Sequence, residues 1–335
     1  MSLLYTPFVV PEIPIPDGVP TFNVDDYKFI KDIGRGGGGY VSKVKNKFTG
    51  GVYAIKEIVI TNDELEDERH HKRIQQDMIL ATSLNHPNVM RCLAVCANQS
   101  GIYFLYNHMP VTFHRKSVKD LCKLAEMACQ ILQGLDYLTK EKGLVFKHLT
   151  PGNILFDPKS NLFKISDVGI VKDKYITLRY ASVVTPFMVF IALENFHSGN
   201  DLVDLQSHPY WKSDAWSLGL CLLQLYNNGK YPHHDSHAAV YDHIISGFFT
   251  EPRVIADDWP PKAPSDACPL FSHFISSCLQ VDVSMRASVP QLLSHPFLTS
   301  NGFIDHLLEE ERDHPTSTVT CEDDGGKIQV IKPRV

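Results

Sequence analysis

Hydrophobic and polar residues alternate along the first part of the chain and recur at helical spacing in the rest. Four segments between Tyr27 and Pro110 have the period-two pattern of β-strands: YKFIKDIG, YVSKVKNK, GVYAIKEIVI and IYFLYNHM. One charged amphipathic helix is predicted among them, from about Asn62 to Leu84. From Ser117 onward helices dominate, beginning with VKDLCKLAEMACQILQGLDYLTKEKG, where a late glycine predicts the helix end. The pattern predicts an α+β fold, with a small β-rich N-terminal lobe and a larger, mainly helical C-terminal lobe.

The same pattern predicts four consecutive parts. Residues 1–26 form a Pro-rich extension that is expected to be extended, and residues 27–110 form the β-rich lobe. Residues 111–299 form the helical lobe. Residues 300–335 form an acidic and polar tail, for which we expect a surface helix at LLEEERDH and then a loose end.

Composition excludes several classes of function. The chain has 335 residues, of which 44% are hydrophobic and 21% charged, which is ordinary for a soluble globular protein. A net charge of -6 gives no electrostatic reason to expect nucleic acid or an anionic membrane surface as a partner. The longest apolar run, AWSLGLCLLQLY, is too short to cross a bilayer and predicts a buried helix. The scattered cysteines and the lack of a signal peptide favour reduced thiols and a cytoplasmic location.

A glycine-rich segment, IGRGGGGYV, is the first candidate for chemistry. Gly34, Gly36 and Gly39 have G-x-G-x-x-G spacing, which lets backbone N–H groups approach phosphate oxygens. The spacing alone also suits a flexible hairpin tip or a dinucleotide-binding fold. A dinucleotide fingerprint runs from strand to helix, whereas these glycines lie between two predicted strands. A third strand follows and carries Lys56.

This arrangement resembles the nucleotide-binding lobe of protein kinases, in which the corresponding lysine holds the α and β phosphates of ATP. Further kinase markers follow in order within residues 27–299: LNHPNV, IYFLYNHMP, SDVG, ALE, SDAWSLG and MRAS. Within the superfamily the chain is most similar to the MAP kinase kinase branch. That similarity lies in the helix register, the YWKSDAWSLGLCLLQL block and the FISSCLQVDVSMRASVPQLLSHPFL ending, much of which Ste20-like kinases share.

The resemblance implies a bilobal kinase fold with a site for ATP and Mg²⁺. The residues that it assigns to nucleotide binding are Ile33, Gly34, Gly36, Gly39, Val41, Ala54, Lys56, Asn107, Met109 and Leu155. Asn153 and Asp167 stand at the positions of the Mg²⁺ ligands, and their hard oxygens suit that ion. Tyr106 takes the gatekeeper position, and Arg286 is expected to pair with Glu194.

The catalytic loop departs from the family pattern. When it is aligned on Pro151 and Asn153, His148 replaces the catalytic aspartate and Thr150 replaces the lysine that steadies the γ-phosphate. Histidine can accept a proton at pH 7, but its protonated form beside phosphate and Mg²⁺ offers no acceptor. A positioned general base contributes about 10²–10⁴ in rate, and loss of the lysine removes charge stabilisation. Phosphotransfer is therefore predicted to be feeble.

Three further positions bear on this expectation. Asp77 takes the place of the αC glutamate that pairs with Lys56, and its side chain is shorter by roughly 1.5 Å. Phe146 stands where the family has a histidine and is expected to pack beside Val168. The activation segment, GIVKDKYITLRYASVVTPFMVFIALE, lacks the usual Gly-Thr pair, and its Ser182 and Thr185 are either phosphorylation sites or ordinary loop hydroxyls.

Three hypotheses follow for function. The first is a catalytically impaired MAP kinase kinase-like pseudokinase that binds ATP and Mg²⁺ and acts as a scaffold or allosteric partner for kinases of a MAP kinase cascade. The second is an active, divergent kinase that uses His148 or a water as base. The third is a docking module with an empty pocket, against which Lys56, Asn153 and Asp167 argue. The tail KIQVIKPRV resembles a MAP kinase docking peptide, with a frayed terminus as the alternative.

Overall fold

The chain divides into two compact units. The first comprises residues 1–110 and 166–172, and the second comprises residues 111–165 and 173–335. The computed structural model describes residues 13–36, 39–58, 68–98, 101–114, 116–147, 149–168, 190–192, 194, 212–229, 262–299, 319–322 and 328–331.

The first unit contains a five-stranded antiparallel sheet and one helix. In chain order the strands are β1 (Tyr27–Gly36), β2 (Gly39–Asn46), β3 (Val52–Ile58), β4 (Ala94–Asn98) and β5 (Gly101–Asn107), and they are arranged as β1-β2-β3-β5-β4. Helix α1 spans Glu68–Ser83 and confirms most of the predicted charged helix, whose first residues lie outside the described part of the chain. The four predicted strands are confirmed, and β4 is one that the pattern did not predict.

Strand register decides which side chains share a face of this sheet. Val41 lies opposite Lys56, and Lys43 lies opposite Ala54. Because successive side chains of a strand point to opposite faces, Val41, Ala54 and Lys56 share one face. The other face carries an apolar core of Val44, Ile55, Ala94 and Leu105, against which Phe22, Val24, Tyr27 and Tyr53 pack.

The N-terminal extension packs against this unit from Ile13 onward. Thr21 forms a parallel bridge with Val95 of β4. The Val95 N–H donates to the Pro20 carbonyl at 2.8 Å, and the Val95 carbonyl accepts from the Phe22 N–H at 3.2 Å. The extension therefore covers the open edge of β4, where unpaired N–H and C=O groups would otherwise be exposed.

The second unit combines a small sheet with helices. Its elements are β6 (Val111–Thr112), α2 (Leu121–Lys142), a 3₁₀ turn (Pro151–Asn153), β7 (Ile154–Asp157), β8 (Leu162–Ile165), α3 (Ser213–Tyr226), α4 (Pro269–Cys278), α5 (Val289–Leu293) and α6 (Pro296–Thr299). The sheet order is β6-β7-β8. The Asp120 side chain accepts from the Lys123 N–H at the start of α2, and Gly143 ends the helix with φ 61°. The predicted glycine stop is confirmed, because this left-handed conformation suits glycine.

Helix α3 is buried on all sides. Twelve of its residues are buried, including Trp216 and Gly219. A Cβ on Gly219 would lie 2.6 Å from Cβ of Cys278, so α3 and α4 approach too closely there for a side chain. The prediction of a buried helix is confirmed. Within the described residues, no helix is both long and apolar enough to cross a membrane.

The tail contains regular structure that the sequence did not predict. Strand β9 (Val319–Glu322) pairs antiparallel with β10 (Ile328–Ile331). The expectation of a loose end is therefore wrong over these two strands. The LLEEERDH segment lies outside the described residues.

Candidate functional site

An ion pair between Lys56 and Asp167 defines the candidate site of the first unit. The Lys56 Nζ lies 2.9 Å from Oδ1 of Asp167. Lys56 is only 4% exposed, in the middle of β3. A buried ammonium needs a compensating charge, and Asp167 supplies one. Asp167 has φ 64°, a conformation that is uncommon outside glycine but more frequent for aspartate than for most residues. The structure thus brings these two predicted residues together.

Tyr106 is within electrostatic range of both Asp167 and Asp77. Tyr106 is buried on β5, and burial raises the pKa of its phenol well above the ordinary value. The negative charges of Cys92, Asp167 and Asp77, when these groups are ionised, raise that pKa further. The carboxylates of Asp77, on α1, and Asp167 therefore both act on one phenol.

The glycine-rich segment includes the end of β1 and the start of β2. Gly36 pairs with Gly39, and residues 37–38 lie outside the described part of the chain. Gly39 has φ 134°, and a Cβ there would lie 1.8 Å from the Glu57 carbonyl oxygen. At Gly34 the nearest atom to an added Cβ is Cβ of Val41, at 3.4 Å. Close approach of two backbones therefore requires glycine at residue 39 but not at residue 34.

The end of β5 and the residues after it carry two of the predicted nucleotide-binding positions, Asn107 and Met109. Asn107 is exposed and lies opposite Tyr53, so its side chain is on the face of the sheet away from Lys56. Asn107 can therefore offer only its backbone on the Lys56 face. Met109 is half-buried, and Ile33, on β1, is 37% exposed.

The remaining predicted residues lie in the second unit. Thr150 precedes the 3₁₀ turn and its carbonyl accepts the Asn153 N–H at 3.0 Å. Leu155 follows on β7, between Thr112 of β6 and Lys164 of β8. His148 lies outside the described residues.

Asp214 anchors the chain just before His148. Its carboxylate accepts the Phe146 N–H at 2.8 Å and the Lys147 N–H at 2.7 Å. Burial raises the pKa of Asp214 to about 6, although the two N–H groups and Lys147 act in the opposite direction. Lys147 has φ 63°, so this carboxylate stabilises a sparsely populated backbone conformation. The sequence identified Asp214 only as part of a motif, and its burial in an apolar helix was the available signal.

Arg286 and Glu194 form the predicted ion pair, which confirms that expectation. Arg286 is 1% exposed, with its Nη1 2.6 Å from Oε1 of Glu194 and its Nη2 3.2 Å from Oε2. Its Nε donates to the Gln280 carbonyl, and its guanidinium lies over the Trp216 ring. The bidentate geometry is the strong form of this interaction.

Two residues at the 3₁₀ turn were not predicted. The Thr112 hydroxyl donates to the Gly152 carbonyl at 3.2 Å, and the His114 imidazole lies beside Gly152. Both occupy a polar stretch without any motif, so the sequence carries no signal for them.

The described donors fit a magnesium–nucleotide group. An ammonium matches phosphate oxygens, and carboxylate and amide oxygens match Mg²⁺. Lys56 and Asp167 provide the first two in one unit, and Asn153 provides an amide in the other. Within the first unit, the Lys56 ammonium and the Asp167 carboxylate have the chemistry that phosphate oxygens and Mg²⁺ require, and the Asn153 amide of the second unit has an oxygen of the same kind.

Comparison with known proteins gives concordant matches. The family model described as "Protein kinase domain" matches residues 27–298. Mitogen-activated protein kinase kinase 2 of Arabidopsis thaliana is 30% identical over 302 residues, which cover 88% of this chain and 78% of the relative. Mitogen-activated protein kinase kinase SIPKK of Nicotiana tabacum is 30% identical over 286 residues, 84% of this chain and 75% of the relative. Dual specificity mitogen-activated protein kinase kinase mek-1 of Caenorhabditis elegans is 26% identical over 295 residues, which cover 86% of this chain and 78% of the relative.

Proposed function

Because the chain belongs to the protein kinase domain family and has MAP kinase kinases as homologues, we propose that it is a MAP kinase kinase-like domain that binds ATP and Mg²⁺ but transfers phosphate weakly or not at all. The predicted α+β kinase fold is confirmed by the family match. The nucleotide, the metal and the impairment are the parts that we propose.

The observation that carries nucleotide binding is the contact between Lys56 and Asp167. A lysine that is 4% exposed, with a carboxylate 2.9 Å away, is costly to maintain unless the pair has a role or excellent compensation. In the proposed complex Lys56 binds phosphate oxygens, while Asp167 and Asn153 ligate Mg²⁺. The metal ion, when bound, neutralises phosphate charge.

The apolar part of the proposed site consists of three side chains that we assign to adenine. Val41 and Ala54 share the sheet face that carries Lys56. We assign adenine contacts to these two side chains and to Leu155 of β7. The backbones of Asn107 and Met109 are proposed to bind the adenine edge, and Ile33 with Gly34, Gly36 and Gly39 to cover the nucleotide.

The proposed impairment rests on the two replaced residues of the loop. A phosphoacceptor hydroxyl needs a group that orients it and accepts its proton, and His148 supplies a bulkier ring for a carboxylate. Thr150 supplies no positive charge where the resemblance expects one. The Asp214 carboxylate accepts the Phe146 and Lys147 N–H groups, and we propose that it holds the backbone next to a loop whose catalytic residues have been replaced.

The proposed biological role is that of a scaffold or allosteric regulator. The relatives are named as mitogen-activated protein kinase kinases, so we propose kinases of a MAP kinase cascade as protein partners. A cytoplasmic location and the division into an extension, two lobes and a tail belong to the same proposal.

An active, divergent kinase is the second candidate. The names of the relatives favour it, because they describe enzymes that phosphorylate other kinases. In that case His148 or a bound water accepts the proton, and Asp77 pairs with Lys56 in the active state.

A thermal-shift titration with ATP tests the binding proposal. ATP with Mg²⁺ is expected to raise Tm, since a ligand at 100 times its Kd stabilises a protein by about 2.7 kcal/mol. Lys56→Met is expected to remove most of this shift. Lys45→Met, an exposed lysine of the same sheet, is the matched control and keeps it. Absence of any shift in the natural chain at millimolar ATP would contradict the proposal.

A further inference from the structure

The short strand β6 contacts the loop that carries Thr150 and Asn153. Thr112 of β6 lies opposite Leu155 of β7. Its hydroxyl donates to the Gly152 carbonyl at 3.2 Å. The next residue, Phe113, donates its N–H to the Ile154 carbonyl at 3.3 Å. Two consecutive residues of this segment therefore bond the backbone on either side of Asn153.

The direction of the Thr112 hydroxyl is fixed by its second partner. The His114 N–H points to the Thr112 Oγ1 at 3.4 Å, so this oxygen accepts one hydrogen bond. A hydroxyl has a single proton to donate, and here that proton is directed to the Gly152 carbonyl. Threonine is also restricted at χ1 by its branched Cβ. The Thr112 hydroxyl thus both accepts one hydrogen bond and donates one, to the Gly152 carbonyl.

The His114 side chain limits the loop from a second direction. A Cβ on Gly152 would lie 3.8 Å from His114 Nδ1 and 3.6 Å from Thr150 Oγ1. The Thr150 hydroxyl and the His114 imidazole therefore both lie near the position that a side chain at residue 152 would take. The peptide that joins Gly152 to Asn153 contains the carbonyl that Thr112 binds.

We infer that Thr112 is a positioning residue for Asn153. By binding the Gly152 carbonyl, it fixes the peptide plane from which the Asn153 side chain projects, and so places the amide oxygen that the proposed function assigns to Mg²⁺. The inference rests on that proposed function. It adds a residue outside the glycine-rich segment and the catalytic loop to the metal-binding half of the site.

The test measures how much Mg²⁺ is needed for the ATP-induced rise in Tm. Thr112→Val keeps the branched shape and removes the hydroxyl, whereas Thr112→Ser keeps the hydroxyl. Thr112→Val is expected to require about three- to tenfold more Mg²⁺ for half of the ATP shift, the size expected for one lost hydrogen bond. The shift with ATP alone is expected to stay unchanged. Thr112→Ser is expected to restore the natural Mg²⁺ midpoint.

A matched control separates positioning from general stability. Thr139→Val removes a hydroxyl that bonds the Leu135 carbonyl at 3.0 Å within α2. It is expected to leave the Mg²⁺ midpoint unmoved, because this hydroxyl lies within α2 and only supplements a backbone bond of the helix. If Thr112→Val lowers Tm but leaves the midpoint where it is, Thr112 is only structural and the inference is overturned. Thr112→Ala replaces the valine variant if the latter does not fold.

The natural chain distinguishes the two levels of failure. If it shows no ATP shift at any Mg²⁺ concentration, the proposed function fails and this inference fails with it. If the natural chain shows a Mg²⁺-dependent shift that all Thr112 variants share, only the inference fails.

Discussion

The ammonium of Lys56 and the carboxylate of Asp167 lie 2.9 Å apart, and Lys56 is almost completely buried while the Asp167 side chain is 33% exposed. Lys56 is on the central part of a strand, and Asp167 follows β8 in a left-handed conformation. This pair brings together the cation that we propose for phosphate and the carboxylate that we propose as a metal ligand. It is the relationship from which the proposed function starts.

The pair predicts a non-additive double-mutant cycle. Asp167→Asn is expected to lower the free energy of unfolding by about 2 kcal/mol, because a buried ammonium loses its charged partner. The partial exposure of Asp167 keeps this cost below that of a fully buried pair. In a Lys56→Met background the same substitution is expected to cost much less. Denaturant unfolding of the four proteins measures the cycle, and additive costs would show that the two groups do not interact.

Asp214 predicts a stability effect with a defined sign in pH. Its pKa in the folded protein is about 6, above the ordinary 3.8. A group with a raised folded pKa stabilises the protein fully below its unfolded pKa and loses that contribution as pH rises through the folded value. The free energy of unfolding of the natural chain is therefore expected to fall by on the order of 3 kcal/mol between pH 4 and pH 7 because of this group.

In Asp214→Asn the side chain no longer titrates, and it has one hydrogen-bond-accepting oxygen in place of two. The variant is expected to be less stable than the natural chain, because an amide oxygen accepts one N–H while the amide nitrogen faces the other. The difference in the free energy of unfolding between the two proteins is expected to shrink from pH 4 to pH 7. Urea unfolding of both proteins between pH 4 and pH 7 measures this difference. A difference that grows with pH would contradict a raised pKa for Asp214.

Gly39 and Gly34 are expected to respond differently to alanine. At Gly39 a methyl group would lie 1.8 Å from the Glu57 carbonyl oxygen, and φ is 134°. Gly39→Ala is therefore expected to destabilise the protein by about 2 kcal/mol more than Gly34→Ala, where the nearest atom is 3.4 Å away. Thermal unfolding measures both. Gly18→Ala, with φ 81° and open space, isolates the backbone cost alone. Equal effects at residues 34 and 39 would contradict this reading.

The stacked rings of His273 and His295 predict acid sensitivity. His295 Nδ1 accepts the Phe297 N–H at 3.1 Å, so its proton lies on Nε2, which is 2.7 Å from His273 Nδ1. A second proton on either ring would break one of these bonds. Burial first, and His273 second, lower the pKa of His295 below its ordinary value. A lowered folded pKa means stability that is present above pH 6.5 and lost as pH falls through the folded pKa.

His295→Asn is the variant that tests this reading. Asparagine can accept the Phe297 N–H as an N-cap but does not titrate. Its stability is expected to fall less between pH 7 and pH 5 than that of the natural chain. Thermal unfolding at both pH values measures the difference, and parallel losses in the two proteins would show that the histidine pair does not contribute.

The sequence predicted elements whose signals are local. Helices α2 and α3 were found from spacing, from the Gly143 stop and from a continuous apolar run. Strand β4 was missed because AVCAN is short, and its pairing with β5 and with the N-terminal extension is what makes it a strand. Tertiary pairing, rather than pattern, decides such segments.

The residues of the candidate site also divide into those that the sequence identified and those whose role only tertiary contacts show. The resemblance identified Lys56 and Asp167, and the structure places them in contact. It assigned Asn107 without indicating that its side chain lies on the opposite face, which only the register with Tyr53 shows. Thr112 acts through its contact with the Gly152 carbonyl, and no local pattern predicts such a contact.

Phosphotransfer from radiolabelled ATP to an acceptor protein tests the central claim most directly. The natural chain is expected to transfer no more label than Lys56→Met, while the double variant His148→Asp with Thr150→Lys is expected to be faster by about 10²–10⁴. Rapid transfer by the natural chain that Lys56→Met abolishes would contradict the claim.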